Sequence, residues 1–373
     1  MILAVVRDFR AEGWPSMDLC ADQLLVHLPA GVIAEDVAPS FRRVFGPLPF
    51  SGGVGFNADR VLNRHVFLPR VVGRVARRSD FVHIVDHSYA HLVNAVRPGR
   101  AGVYCHDLDA FRSLLDPENE PRPQWFRRLA RRTLEGLTRA AVVFHSTGEV
   151  REQILHHGLV DPERLVHAPY GVAAEFTSIS GVSVELPIPT DTPYLLHVGG
   201  NIPRKRLDVL LDTFAAVRTR MPQVRLVQVG GPWPAPLAAR ITRLGIGAAV
   251  TQLRGLTRHQ LAELYRRAAA VLVTSESEGF GLPVIEALAC GAPVVASDLT
   301  VLREVGGAAV EYCPVADLPA WIDTVTRIMH ASSPVSHRLE HAARFSWTEH
   351  GRIIGSTYLR LSEGLPPRCE SFS

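Results

Sequence analysis

The chain has 373 residues, room for about two domains at ~150 residues each. Hydrophobic residues at 47% and charged residues at 21% exclude a disordered, collagenous or disulfide-scaffold protein. Forty basic and 37 acidic residues leave a net charge of +3, too balanced for a dedicated nucleic-acid binder.

The opening MILAVVRDFR predicts a first strand over 2–6: its apolar run is too short for a signal peptide and an arginine follows at once. Further strands are expected at 24–28, 81–85, 102–105, 141–145 and 165–168, with helices at 57–77, 125–139 and 148–157. The stretch 174–193 is rich in Ser, Thr and Pro and reads as a linker between a domain over 1–173 and a second over 194–346. There, apolar runs at 194–198, 224–229, 249–253, 270–274, 294–296 and 308–312 alternate with helices at 207–218, 258–267 and 283–290. Such alternation implies βαβ units and a doubly wound parallel sheet. The segment 346–361 has helical apolar spacing, and the tail 363–373 reads as frayed.

Cys20, Cys105, Cys290, Cys313 and Cys369 are odd in number, far apart and without a CxxC pair. That argues against a disulfide framework or zinc site and for a reducing, cytoplasmic setting. No run of 18 apolar residues occurs.

The richest stretch is SEGFGLPVIEALACGAP, 277–293. A strand ends, a loop with Gly279 and Gly281 follows, and Pro283 stands at a favoured first helical position. This arrangement makes an anion site at the carboxyl end of a parallel strand. Glu286 sits inside an otherwise apolar helix, where a carboxylate is rare unless it has a task, such as accepting hydrogen bonds from vicinal hydroxyls. A second strand–loop–helix segment, HVGGNIPRKRL, places Gly199 and Gly200 before Arg204 and Lys205. Cations there suit a leaving diphosphate, whose negative charge grows in the transition state. They would do the work of a metal, and no DxD pair stands at a comparable strand end. Asp107 and Asp109 have that spelling but read first as a helix-start cap.

The motif E-G-F-G-L-P-x-x-E-A-x-A-x-G-x-P-V, Glu278 through Val294, resembles the family 4 glycosyltransferases of the GT-B class, and V-G-x-x-x-P-R-K-x-L supports the match. The resemblance covers 194–345 well, 81–172 moderately and 1–80 weakly. It implies two facing Rossmann-like domains with a cleft between them and a C-terminal helix, about 347–373, crossing back to the first. It implies a retaining transfer of a hexose from a nucleoside-diphosphate sugar, without cofactor or metal. Glu286 would hold the donor ribose and Glu278 would face the transferred sugar. The N–H groups of Phe280, Gly281 and Leu282 would meet sugar hydroxyls and diphosphate, and Arg254 and Gly255 would line the base pocket. The PRK spelling leans to GDP-mannose.

In the first half, His106 closes a strand as a histidine often does in this family, with Asp107 placed to fix its tautomer. Asp86, His87 and Tyr89 follow another strand and read as acceptor-side lining. Two departures stand out. The family's glycine-rich loop after its first strand is reduced to Gly13, while a better glycine loop, Gly52 to Gly55, comes later. GGPWP, 230–234, replaces the usual polar loop. Finally, 122–139 carries six arginines, one acid and an apolar side. It reads either as a helix lying on an anionic membrane or as an ordinary helix with that side in the core. A sugar-nucleotide epimerase or hydrolase, or a non-catalytic sugar-nucleotide-binding subunit, would share the fold.

Overall fold

The computed structural model describes residues 1–45, 52–181, 185–186, 188, 192–330 and 334–367. The chain forms two compact units, one of residues 1–171 with 347–373 and one of 172–346. Each contains one parallel six-stranded sheet.

In the first unit the strands are β1 (Ile2–Val6), β2 (Ile33–Val37), β3 (Phe81–Ile84), β4 (Ala101–Cys105), β5 (Val142–His145) and β6 (Leu165–His167), in the order β2-β1-β3-β4-β5-β6. The run 24–28 is no strand: it ends the helix Pro15–His27, whose Cys20, Ala21 and Leu24 are buried at helical spacing. The actual second strand, IAEDV, lies on the sheet edge with only Val37 buried, so it carries no apolar run. Gly52 to Gly55 form no loop either, because they open the helix Gly52–Leu62. Ser51 lies outside the described residues. The expected helix 57–77 is broken by a π turn, Asn63–Phe67, before Leu68–Val75. Pro69 has no N–H for the helical ladder, and the wider turn ahead of it accommodates that loss.

The final helix, Trp347–Ser362, belongs to this unit. It lies close against Pro15–His27, where a Cβ on Gly351 would come 2.2 Å from His27 O. The Tyr358 hydroxyl reaches His83 Nδ1 at 3.0 Å and fills the space a side chain at Gly102 would need.

The second unit holds β7 (Tyr194–Val198), β8 (Arg225–Val229), β9 (Val250–Leu253), β10 (Ala270–Val273), β11 (Val294–Ser297) and β12 (Glu311–Cys313), ordered β12-β11-β10-β7-β8-β9. The last strand begins three residues later than its apolar spelling and ends one later, because 307–309 form a 3-10 turn. The helices Leu207–Arg220, Arg258–Arg267 and Leu282–Ala289 stand where periodicity puts them. Ala235–Arg243, Thr300–Gly306, Leu318–His330 and Val335–Ala342 were not anticipated. The described residues of 174–193 group with the second unit: Phe176 packs edge-on against Tyr265, and Arg266 donates to Thr177 O.

Candidate functional site

In each sheet the chain runs outward from the centre in both directions. The order reverses between β7 and β10 in the second unit and between β1 and β3 in the first. Loops at the carboxyl ends of two such strands turn opposite ways and leave a crevice where ligands bind in open α/β sheets.

At the second unit's reversal point, the loop after β7 is sewn to the loop after β10. Arg204 O accepts from Glu276 N at 2.8 Å, and Lys205 O accepts from Thr274 Oγ1 at 2.8 Å. Arg204 Nη1 donates to Ser277 O at 2.9 Å and approaches Glu278 Oε2 at 3.5 Å. Lys205 Nζ and Ser275 Oγ both donate to Glu278 Oε1, at 2.5 and 2.6 Å. Two cations and a buried carboxylate, 73 and 74 residues apart in sequence, thus occupy one place. The glycine loop continues to Gly281, whose φ of +98° caps the helix Leu282–Ala289 with Pro283 in its first turn. That backbone angle is one a side chain rarely adopts, so glycine is required there.

Glu286 lies one turn into that helix and is 7% exposed. Tyr265 donates to its Oε2 at 3.0 Å. Burial pushes its carboxyl up to about 8, with the Tyr265 hydrogen bond and Arg258 pulling the other way. Arg254 is exposed beside Gly255, φ +67°, on the turn after edge strand β9, two strands from β7.

In the first unit, the reversal point carries Asp8 after β1 and Asp86 after β3. Asp86 caps a 3-10 helix, His87–Ala95, and accepts from Ser88 N at 2.7 Å and Ser88 Oγ at 2.6 Å. Asp8 is 6% exposed, and among the described residues neither of its oxygens has a donor. Burial and the neighbouring Asp86 hold its carboxyl well above the usual range. Sequence reading missed Asp8: a lone carboxylate after a strand carries no signal until the fold sets another beside it. His87 Nδ1 accepts from His106 N at 3.3 Å, and its Nε2 faces Asp107 at 3.4 Å. Burial opposes a charge on His87, but Asp107 and Asp86 outweigh it and raise its pKa.

His106 departs from expectation. Its Nε2 donates to Val85 O at 2.7 Å and its Nδ1 accepts from the Tyr170 hydroxyl, so these groups and not Asp107 set its tautomer. Burial lowers its pKa to about 4, which keeps it neutral at pH 7. Tyr89 is not lining but core: it is 1% exposed, and its hydroxyl bonds Phe9 N at 3.3 Å and Glu12 Oε1 at 2.9 Å. Asp107 accepts from Asp109 N at 3.0 Å but is not the cap: Leu108 stands at the start of the 3-10 helix Asp109–Phe111. Among the described residues no group of three or more His, Cys, Asp or Glu is placed to hold a metal ion.

The arginine-rich helix, Gln124–Arg139, buries Ala130, Thr133, Gly136 and Leu137, while Trp125 is 58% exposed. The helix lines one cleft of about 700 Å³, and a second, of about 550 Å³, is lined from residues 70–77 and 95–97. Arg128, Arg131, Arg132 and Arg139 line the first with a single acid, Glu135; Arg70, Arg74, Arg77 and Arg97 line the second with none.

Comparison with known proteins adds to this geometry. The sequence profile of the family "Glycosyl transferases group 1" matches residues 182–345. That region, a little under half of the chain, is similar to the group 1 glycosyltransferases. The D-inositol 3-phosphate glycosyltransferase of Mycolicibacterium smegmatis is 37% identical over 186 residues, 46% of this chain and 41% of that protein. The protein of the same name from Mycobacterium avium is 32% identical over 236 residues, 59% and 54% of the two chains. The chain thus spans about half the length of these curated relatives. Sucrose-phosphate synthase from Thermosynechococcus elongatus superposes with a TM-score of 0.75 at 19% identity, covering 98% of this chain and 100% of that one. Anabaena HepE, in complex with UDP and glucose, gives 0.70 at 17% identity, covering 96% and 99%. The architecture of two parallel six-stranded sheets is therefore the GT-B fold. The matched span includes both segments of the second unit's site, 199–205 and 274–286.

Proposed function

We propose that this chain is a retaining glycosyltransferase that moves a hexose from a nucleoside-diphosphate sugar to a hydroxyl acceptor. The observation that carries the reading is the meeting of Arg204 and Lys205 with Glu278 at the strand-order reversal of the second sheet. The glycine loop and the start of Leu282–Ala289 supply N–H groups on the same strand ends. In support, a neighbour of the same fold is a complex with UDP and glucose.

In the reaction, the acceptor oxygen attacks the anomeric carbon from the face the diphosphate is leaving. The new C–O bond forms as the old one breaks, and the hydroxyl proton passes to the departing phosphate oxygen. Arg204 and Lys205 offset the charge growing on the diphosphate, an electrostatic task that needs no metal or cofactor. Glu278 holds both cations at the strand ends, where a diphosphate would take up their charge. Glu278 is then available to the sugar hydroxyls, and Glu286 to the ribose. Gly199, Gly200 and Phe280 to Leu282 give backbone approach, while Arg254 and Gly255 border the base. Asp86, His87 and Asp107 serve the acceptor, with His106 as a neutral support.

No helix among the described residues is long and apolar enough to cross a membrane. We place the chain in the cytoplasm, peripheral on the inner face of the membrane through Gln124–Arg139. The arginine-lined cleft on that helix and exposed Trp125 support that contact.

The deciding experiment incubates the protein with UDP-, GDP- and dTDP-hexoses, with and without cell extract, and analyses the products. Acceptor-dependent nucleotide release is expected with a chelator present. An isomerised intact donor would instead establish an epimerase, and acceptor-independent release a hydrolase.

A further inference from the structure

At the carboxyl ends of β7, β8 and β9, three amide side chains and the Gly231 carbonyl close a ring. Gln228, fully buried near the end of β8, donates from Nε2 to Gly199 O at 3.0 Å and to Asn201 Oδ1 at 3.1 Å. Gln252 on β9 donates from Nε2 to Gln228 Oε1 at 3.0 Å and to Gly231 O at 2.6 Å. Asn201 donates from Nδ2 to Gly231 O at 2.6 Å and to Pro232 O at 2.9 Å. Every amide N–H of the three side chains has an acceptor.

The ring joins two loops. One is 199–205, which bears Arg204 and Lys205; the other is 230–234, where GGPWP stands. They touch backbone to backbone: a Cβ on Gly230 would lie 2.2 Å from Gly199 O and 2.3 Å from Gln228 Nε2. Gly199 N donates to Val229 O and Gly230 N to Leu253 O, both at 3.0 Å, so the loop bases are tied to the sheet as well. A buried amide adds little net stability over an apolar side chain of its size and is costly if any bond is missed. A complete ring is better explained by the geometry it imposes: it fixes the distance between the two loops.

We propose that Gln228 is a positioning residue for nucleotide binding, which through Asn201 and Gln252 holds the cation-bearing loop 199–205 at a set spacing from the loop 230–232. The first loop then meets the diphosphate while the second borders the nucleoside. This rests on the nucleotide-sugar reading above. Only a ligand that engages both loops depends on their spacing; one that engages the first alone does not.

The test titrates UDP, GDP, dTDP and inorganic pyrophosphate into the full chain as wild type, Gln228→Leu and Asn201→Ala. Asn201 is partly exposed and carries the test if Gln228→Leu does not fold. The nucleotide that binds wild type is expected to bind Gln228→Leu at least tenfold more weakly and Asn201→Ala several-fold more weakly. Pyrophosphate should keep its affinity. Unchanged nucleotide affinity in a folded variant overturns the proposal, and so does an equal loss for pyrophosphate, which would mean collapse of the cation loop alone. A wild type that binds no nucleotide overturns the nucleotide-sugar reading and the proposal with it.

Discussion

Tyr265 and Glu286 are both buried and share one hydrogen bond, 3.0 Å from the phenol to Oε2, tying the helix Arg258–Arg267 to the helix Leu282–Ala289. The phenol can satisfy part of the carboxyl but brings no positive charge. Glu286 is therefore held where its ionised form is disfavoured, at a pKa of about 8 against an ordinary 4.5. The folded state binds this proton more tightly than the unfolded one. Its stabilising effect is full below about pH 4.5 and is lost as pH rises to about 8. Glu286→Gln lacks this dependence. Its unfolding free energy relative to wild type, read by urea denaturation, should rise from pH 5 to pH 8 and then level, by on the order of a few kcal/mol in total. A difference that stays flat over the window would show that the carboxyl titrates normally.

Glu286→Ala should chiefly weaken the donor. Losing hydrogen bonds between the neutral carboxyl and ribose hydroxyls typically costs ~0.5–1.5 kcal/mol each. Calorimetric titration with the nucleotide sugar measures the loss, and an unchanged dissociation constant would refute the ribose assignment.

Lys205→Ala takes the shortest ion pair from Glu278, whose side chain is 6% exposed, and leaves it Arg204 and Ser275. Removing one partner of a buried pair costs about 3 kcal/mol. The double variant with Glu278→Ala should recover much of that loss. A double-mutant cycle by urea denaturation checks this; strictly additive effects would mean the pair is not coupled.

Gly230→Ala and Gly231→Ala form a matched pair. A Cβ at Gly230 meets backbone at 2.2 Å, whereas at Gly231 nothing lies within 4 Å. The first should cost about 1–3 kcal/mol, and the second should fall within about 0.5 kcal/mol of wild type. Equal effects would show that the two loops are not in backbone contact.

Arg128, Arg131 and Arg132 share a cleft whose lining includes one acid, Glu135. Each arginine near an anionic surface contributes about 1 kcal/mol. The protein should co-sediment with phosphatidylglycerol vesicles and not with phosphatidylcholine, more weakly as salt rises. Replacing the three arginines with alanine should weaken this at least tenfold. Equal binding to both vesicle types would remove the membrane contact.

Where tertiary packing and local pattern agreed, the elements were legible. LLHV and AVLV are buried central strands and spell continuous apolar runs. Leu282–Ala289 was legible from its glycine and proline before the apolar face began. The edge strand β2 was not, since it buries one residue, and LLVHL read as a strand because a short apolar run does not reveal its own period.

The sequence by itself determined the alternation of strand and helix, the glycine loop ahead of Glu286 and the supply of cations after β7. These are local matters, settled by side-chain spacing and by backbone angles that only glycine adopts freely. Tertiary structure decided which strand ends are neighbours. β7 lies beside β10 and β1 beside β3 because crossover helices pack on both faces of each sheet, and nothing in the linear order states the result. That choice set Lys205 against Glu278, gave Asp8 a second carboxylate for company, and joined Asn201, Gln228 and Gln252 with the Gly231 carbonyl into one ring.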